Sequence, residues 1–262
     1  MDWILVTNDD GADAPGLVPL ARAISTIAPV RVVVPHVERS WVGKAITRFE
    51  PIRVEVTERH NQEIHTTTGY PADCAQLGIH ALFDTPPRLV VSGINVGYNH
   101  GSAYLQSSGT VGAALEASIS GVDAVAFSTA SVNVPWNEWR RLAWSEDSLP
   151  MWNRLADLAA TIARPVFEAA TLGVVASVNL PAEADGSTER RFTTVADVGY
   201  EKLFSAAGEG VFVHDFGGAF LEFESLEGTD VQAARDGVVS ITSVRAIHTA
   251  PLPDELRRAL LG

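Results

Sequence analysis

Short, continuous apolar runs that alternate with helix-type spacing constrain this 262-residue chain more than any other feature. Such runs are typical of strands buried on both faces of a sheet. Between the first two runs, residues 17–28 carry apolar side chains at helical spacing, and Pro29 ends the pattern. A strand, a helix and a strand in this order predict parallel strands joined by a right-handed crossover. The runs are WILVT (3–7), VRVVVP (30–35), PRLVVSGIN (87–95), DAVAFST (123–129) and VVASVNLP (174–181).

The remaining segments complete a predicted α/β fold with a mostly parallel sheet. Residues 190–237 are aromatic, glycine-rich and acidic, and they predict a smaller β-rich extension without clear helices, which packs on the core or reaches another subunit. We treat residues 1–262 as a single α/β domain that includes this extension. The other predicted elements are a hairpin (52–68), a helix (71–83), a glycine-rich loop (93–109), a small-residue helix (110–120), a tryptophan-rich loop (136–152) leading to a helix that ends near residue 170, and a short amphipathic helix (253–261).

Charge and composition exclude several classes of partner. The formal net charge of −13 argues against a nucleic-acid polymer as the main partner, because such a partner needs a basic surface. A phosphorylated small molecule stays open, since a bound metal can reverse the local charge. Cys74 is the single cysteine, so a reducing compartment is expected. No apolar run is long enough to span a membrane, and the first predicted strand leaves no room for a signal peptide, so we expect a cytoplasmic protein.

Oxygen-bearing side chains follow three of the predicted strands. Asp9 and Asp10 come directly after the first strand, Ser40 follows the second, and Asn95 ends the third parallel run. Ligands bind outside the carboxyl ends of strands in open α/β sheets, so these residues are expected to converge. Carboxylate, hydroxyl and amide oxygens suit Mg²⁺ or Mn²⁺, and a cation would offset the repulsion between the two acids. An acidic pair that simply caps a solvent-exposed turn remains an open alternative.

The stretch GYNHGSAYLQSSGTVGAA is a candidate phosphate-binding segment. Ser107, Ser108 and Thr110 lie just before or at a predicted helix start, where free N–H groups and the helix dipole favour an anion. The glycines, Gly109 among them, allow close approach of a ligand to the backbone. An ordinary glycine loop with a Ser or Thr cap is the alternative, and the pattern is not a P-loop.

Other conspicuous residues have simpler interpretations. Cys74 lies on an apolar helix face and is expected to fill the core. His36 and His100 are near the candidate site but are interpreted as loop residues rather than general bases. The tryptophans between 136 and 152 are expected to pack in the core or at an interface.

Six blocks in order resemble the signature blocks of the SurE family of stationary-phase survival proteins, which act as metal-dependent 5′/3′-nucleotidases. The blocks are TNDDG, ERS, TTGYPADC, SGIN, SGTVGAALE and DGVVSIT, and they extend over essentially the whole chain. The resemblance implies a Rossmann-like domain whose β-rich extension serves dimerisation, often with further assembly to a homotetramer. It also implies one divalent metal, Mg or Mn, per subunit, held by Asp9, Asp10, Ser40 and Asn95. Asn99, Ser108, Gly109 and Thr110 match positions that line the family's phosphate pocket.

The chain departs from the family at the rim of the site. Lys44 stands where family members commonly have His, and it either adds a cation near the phosphate or is a solvated surface lysine. The stretch 101–107 looks one residue longer, without the usual acidic residue, and the tryptophan-rich segment 134–152 has no counterpart. The metal ligands are intact, whereas the expected substrate rim is altered.

The function expected from these residues is hydrolysis of a phosphate monoester by a metal-activated water, with Asp9 and Asp10 as catalytic residues. The substrate is a nucleoside monophosphate, polyphosphate or a phosphorylated intermediate of a specialised pathway. An aspartyl-phosphate mechanism and a non-catalytic binder of phosphorylated metabolites are the alternatives.

Overall fold

The computed structural model describes residues 2–169, 173–215 and 220–246. The strands in this part of the chain are β1 (Ile4–Thr7), β2 (Val30–Pro35), β3 (Val54–Arg59), β4 (Gln62–Thr67), β5 (Leu89–Val96), β6 (Asp123–Ala130), β7 (Val175–Pro181), β8 (Arg190–Thr193), β9 (Val198–Tyr200), β10 (Phe204–Gly208), β11 (Val211–His214), β12 (Phe220–Glu222) and β13 (Val239–Val244). The helices are α1 (Leu17–Ile24), α2 (Pro71–His80), α3 (Gly101–Ser107), α4 (Gly109–Ile119), α5 (Trp136–Ala143), α6 (Leu149–Glu168) and α7 (Asp230–Arg235).

A nine-stranded sheet forms the centre of the fold, in the order β3-β4-β2-β1-β5-β6-β7-β13-β8. Every neighbouring pair is parallel except β3 with β4 and β13 with β7. The predicted mostly parallel α/β sheet is therefore confirmed, and so is the hairpin formed by β3 and β4. Strand β1 lies near the centre of the sheet, between β2 and β5. The residues that follow it therefore lie near the middle of the row formed by the carboxyl ends of the parallel strands.

Helices cover both faces of this sheet. Alternate residues of β1 point to opposite faces, so Ile4 and Val6 belong to one apolar cluster, whereas Leu5 belongs to another. Helices α1 and α6 pack together on the first face, and α2 and α4 pack together on the second. The predicted buried strands are consequently covered on both faces over most of their length, whereas Arg31 near the start of β2 is exposed. None of the described helices has both the length and the apolar character needed to cross a membrane.

Three predicted loops or extended regions contain helices that periodicity did not indicate. The glycine-rich loop contains α3, which is stabilised by a residue distant in sequence: the Tyr200 hydroxyl donates to the Ala103 carbonyl at 2.7 Å. The tryptophan-rich segment contains α5, in which only Trp139 and Ala143 are buried in the core. The β-rich extension contains α7, which the Thr229 side chain caps by accepting from the Gln232 N–H. Tertiary contacts, rather than local spacing, stabilise these short helices.

The extension adds two small antiparallel sheets outside the main one, in which β9 pairs with β12 and β10 pairs with β11. Strand β8, which lies within the predicted extension, instead joins the edge of the main sheet beside β13. Phe204, Phe212 and Phe223 of the extension are exposed. The predicted helix 253–261 lies outside the described residues.

Candidate metal and phosphate site

The acidic pair lies in a tight turn directly after β1, and Asn8 closes that turn. The Asn8 amide donates to the Gly11 carbonyl at 2.9 Å and accepts from the Gly11 N–H at 3.1 Å. Gly11 has a φ of +91°, a conformation that favours glycine. Because Asn8 already caps the turn, the carboxylates of Asp9 and Asp10 are not needed for capping. Both side chains are buried rather than left in solvent.

Each of the two carboxylates is fixed through one of its oxygens. The Thr110 hydroxyl, at the start of α4, donates to Asp9 Oδ1 at 2.5 Å. The Val96 N–H, at the end of β5, donates to Asp10 Oδ2 at 3.2 Å. The backbone N–H groups of Asp9 and Thr110 also hydrogen-bond to the Asp9 carboxylate and lower its pKa. These contacts orient both acids, and a carboxylate has further lone pairs with which to bind a cation.

Burial makes both carboxylates hard to ionise in the absence of a cation. Desolvation raises the pKa of Asp9 from its ordinary value of 3.8 to about 6, although the Thr110 hydrogen bond lowers it. Desolvation and then the charge of Asp9 raise the pKa of Asp10 well above its ordinary value. The negative charge of Glu38 raises the pKa of both carboxylates by a smaller amount. A divalent cation would reverse these effects, so the electrostatics of the pair fit a metal.

Ser40 and Asn95 lie on the segments that surround the acidic turn. The Arg39 N–H donates to the Asp9 carbonyl at 2.7 Å, so the loop that carries Ser40 is fastened to the turn. The exposed Ser40 hydroxyl donates to Glu38 Oε1 at 2.8 Å. Asn95 follows a shift in the β5–β6 register, and its amide nitrogen donates to the Gly97 carbonyl at 2.7 Å, which leaves the amide oxygen available.

The four predicted ligand residues thus offer carboxylate, hydroxyl and amide oxygens from adjacent segments, a donor set that suits Mg²⁺ or Mn²⁺. Their role as ligands remains a prediction, because the arrangement supports a cation without identifying it. The described residues contain no cluster of three or more His, Cys, Asp or Glu side chains that could hold a metal. A site at Asp9 and Asp10 therefore depends on the serine and asparagine oxygens.

Helix α4 begins directly against the acidic pair. A Cβ placed on Gly109 would lie 2.8 Å from Asp9 Cβ, so only glycine lets the helix start approach this closely. The Ser108 hydroxyl caps the helix by accepting from the Val111 N–H at 3.1 Å. Thr110 is committed to Asp9 through its hydroxyl. The positive end of the α4 dipole consequently faces the acidic pair, and the phosphate-binding role predicted for Ser108, Gly109 and Thr110 stays a prediction.

Asn99 and Lys44 have partners of their own. Asn99 is buried, and its amide nitrogen donates to Ser128 Oγ at 2.7 Å, while its backbone N–H donates to Asn179 Oδ1 at 2.9 Å. The Lys44 ammonium pairs with the buried carboxylate of Glu116 on α4. Lys44 is therefore not simply a solvated surface lysine. The phosphate-binding roles predicted for Asn99 and Lys44 stay predictions.

The structure also shows participants that the sequence did not indicate. Glu38 links the Ser40 hydroxyl to Arg140 of α5, whose Nη2 lies 2.8 Å from Glu38 Oε2. Trp136 of the same helix lies over Gly97. Glu38 is part of the ERS block, so its segment was recognisable. No signal pointed to Arg140, because the pairing joins residues that are 102 positions apart.

The residues with simpler interpretations behave largely as expected. Cys74 is fully buried, and burial raises its pKa to about 12, so its thiol stays protonated. Trp139 and Trp152 are buried in the core, as one of the two expectations for the tryptophans stated. His100 lies in the loop before α3, as expected, where it is buried; burial lowers its pKa to about 4, so it is neutral near pH 7.

Comparisons with known proteins agree with this fold. The family described as "Survival protein SurE" matches residues 4–202. A protein from Geobacter sulfurreducens named "5'-nucleotidase SurE" is 37% identical over 243 residues, which cover 91% of this chain and 86% of that protein. One of the same name from Methanopyrus kandleri is 35% identical and covers 99% of both chains. The crystal structure of a SurE protein from Aquifex aeolicus has a TM-score of 0.76 at 27% identity, covering 99% of this chain and all of that one.

Proposed function

This chain belongs to the SurE family and is a phosphoric monoester hydrolase, and we propose that it releases phosphate from a nucleoside monophosphate or a related phosphorylated small molecule with the help of one Mg²⁺ or Mn²⁺ per subunit. Asp9, Asp10, Ser40 and Asn95 hold the cation in this proposal. The observation that carries it is the buried pair of adjacent carboxylates, which are oriented by hydrogen bonds from the start of α4 and the end of β5.

The groups around the acidic pair have different roles in the proposed reaction. When bound, the cation supplies Lewis-acid stabilisation and lowers the pKa of the attacking water. Thr110 and the Val96 N–H hold the two carboxylates in fixed orientations. One of the two acids also orients the water or accepts its proton. The start of α4 stabilises negative charge that builds up on the phosphoryl oxygens.

Release of phosphate from 4-nitrophenyl phosphate tests the proposal. We expect turnover with Mn²⁺ or Mg²⁺, none with excess chelator, and loss of turnover in Asp10→Asn. Asp157→Asn is the matched control, because Asp157 is exposed on α6 and the substitution changes the net charge equally. Turnover that persists in chelator would contradict metal dependence.

Two alternative functions predict different experimental outcomes. A non-catalytic binder would release no phosphate from any ester while still binding inorganic phosphate. An aspartyl-phosphate mechanism would leave radiolabel from substrate on Asp9 or Asp10 after rapid denaturation. The metal-activated water is favoured over that route, since both carboxylates are committed to holding the cation and the Asp-x-Asp arrangement is missing from the sequence.

We further propose that the extension mediates assembly to a homodimer or homotetramer in the cytoplasm. Two-stranded sheets are marginal on their own, and β10 and β11 carry exposed Phe204, Phe212 and Val213. Static light scattering at micromolar concentration should give at least twice the mass of one chain. A strict monomer would refute this part of the proposal.

A further inference from the structure

Helix α5 is tied to both sides of the candidate site. At its first residue, the Trp136 indole lies over Gly97, where an added Cβ would be 3.3 Å from the ring. One turn later, Arg140 Nη2 lies 2.8 Å from Glu38 Oε2. Gly97 is two residues from Asn95, and Glu38 accepts the Ser40 hydroxyl. The helix therefore connects the segments that carry two of the four predicted metal ligands.

Arg140 is the cation placed to meet an incoming anion. The neighbouring Arg39 is directed elsewhere, because its guanidinium reaches the Thr68 carbonyl at 3.3 Å and lies over the Tyr70 ring. Lys44 is already paired with a buried carboxylate. Arg140, by contrast, pairs with Glu38, whose other carboxylate oxygen accepts the Ser40 hydroxyl, so its guanidinium lies beside the segment that carries a predicted metal ligand.

The guanidinium of Arg140 lies over the Trp144 ring, 5.9 Å from its centroid, and forms an ion pair with Glu38 that a stronger anion can replace. The guanidinium and Glu38 are both partly exposed, with 48% and 39% of their side-chain surfaces accessible, and ion pairs of this kind contribute little stability. A phosphate group offers the guanidinium two oxygens in a bidentate geometry and a larger charge. Glu38 would retain the Ser40 hydroxyl after such an exchange.

We propose that Arg140 is a substrate-binding residue, which exchanges its ion pair with Glu38 for the phosphate group of the substrate, and that α5 is the helix that delivers it to the site. This inference rests on the proposed phosphatase function. It assigns a role to the tryptophan-rich segment, to which α5 belongs. The competing explanation is that Arg140 only tethers α5 to Glu38.

The first test measures kcat/KM for 4-nitrophenyl phosphate in Arg140→Ala and Arg140→Lys. Arg141→Ala is the matched control, since Arg141 is the next residue of α5, is exposed, and has no ion pair among the described residues. Loss of a charged hydrogen bond predicts a decrease of about ten- to a hundredfold for the alanine variant, a smaller decrease for lysine, and none for the control. Titration calorimetry with inorganic phosphate should show the same order without turnover.

A double-mutant cycle with Glu38→Gln separates binding from tethering. If Arg140 binds the phosphate, Arg140→Ala costs as much in the Glu38→Gln background as in the wild type. If Arg140 only tethers α5, Glu38→Gln reproduces the loss and Arg140→Ala adds nothing to it. That second result would overturn the inference, as would an Arg140→Ala variant equal to the control.

The outcomes also distinguish this inference from the proposed function. A wild-type protein that releases no phosphate but binds inorganic phosphate more tightly than Arg140→Ala would refute the phosphatase activity and leave the role of Arg140 standing. An active wild type with unaffected Arg140 variants would refute only the role of Arg140. Circular dichroism of each variant confirms that it is folded before either conclusion is drawn.

Discussion

Replacing Asp9 by asparagine is expected to stabilise the metal-free protein at alkaline pH. Asp9 is buried, and its pKa in the folded protein is raised from 3.8 to about 6. The folded state then binds this proton more tightly than the unfolded state does, so the free energy of unfolding falls as the pH rises from about 4 through 6 and stays reduced above that range. The amide that replaces the carboxylate would remain neutral throughout, and its oxygen can still accept the Thr110 hydroxyl.

The size of the effect follows from the shift in the pKa of Asp9. About 2 pH units correspond to about 3 kcal/mol, the free energy that an ionised Asp9 costs the metal-free protein at pH 8. No reduction for solvent screening is needed, because only 4% of Asp9 is exposed. For a chain of this length, such a gain corresponds to a rise in Tm of about 6–12 °C. At pH 4 the difference between wild type and variant should nearly vanish.

Thermal melts in the presence of EDTA measure the expected gain in Tm at pH 8 and its loss at pH 4. Asp157→Asn is the control for the change in net charge. Added Mn²⁺ should raise the Tm of the wild type at pH 8 and leave that of Asp9→Asn unchanged, since ligand binding stabilises only a protein that has the site. If Asp9→Asn is no more stable than the wild type at pH 8, or gains equally at both pH values, the electrostatic argument is wrong.

The remaining predictions concern the surroundings of the acidic pair. Gly109→Ala should reduce kcat/KM at least tenfold, because the new methyl group would lie 2.8 Å from Asp9 Cβ and displace the carboxylate; normal turnover would contradict the packing. Cys74 should resist a thiol reagent in the native protein and react after unfolding, since it is buried with a pKa of about 12. Across a panel of phosphate monoesters, the best substrate should have a kcat/KM about ten- to a hundredfold higher than that of AMP or GMP. The reason is that the residues expected around the substrate depart from the family pattern. If either nucleotide is as good as any compound and Lys44→His changes nothing, the altered rim has no effect on selectivity.

Much of the sheet could be predicted from the sequence, because strands buried on both faces leave a strong local signal. The runs that contain Leu5, Val33, Val91, Val125 and Val178 all form strands of the main sheet. The position of Asp9 and Asp10 follows from the same pattern, since residues after a central parallel strand must lie at the sheet edge.

The helices that border the site could not be predicted in the same way. Helix α3 depends on hydrogen bonds from Tyr200 and to Val198, which are about a hundred residues distant in sequence. Helix α5 has only a short apolar face, formed by Trp139 and Ala143, so its tryptophans indicated a loop. The partner of Lys44 was equally hidden, because the buried Glu116 lies on a helix face that periodicity marks as small and apolar.

Titration calorimetry of Mn²⁺ into the metal-free protein tests the central claim most directly, namely that the buried acidic pair holds a divalent cation. At pH 7.5, the wild type should bind one ion per chain, and binding should weaken as the pH falls through about 6, where protonation of Asp9 competes with the cation. Asp10→Asn should lose this binding, while Asp157→Asn should retain it. Equal binding by Asp10→Asn and the wild type, or no binding by the wild type, would contradict the account.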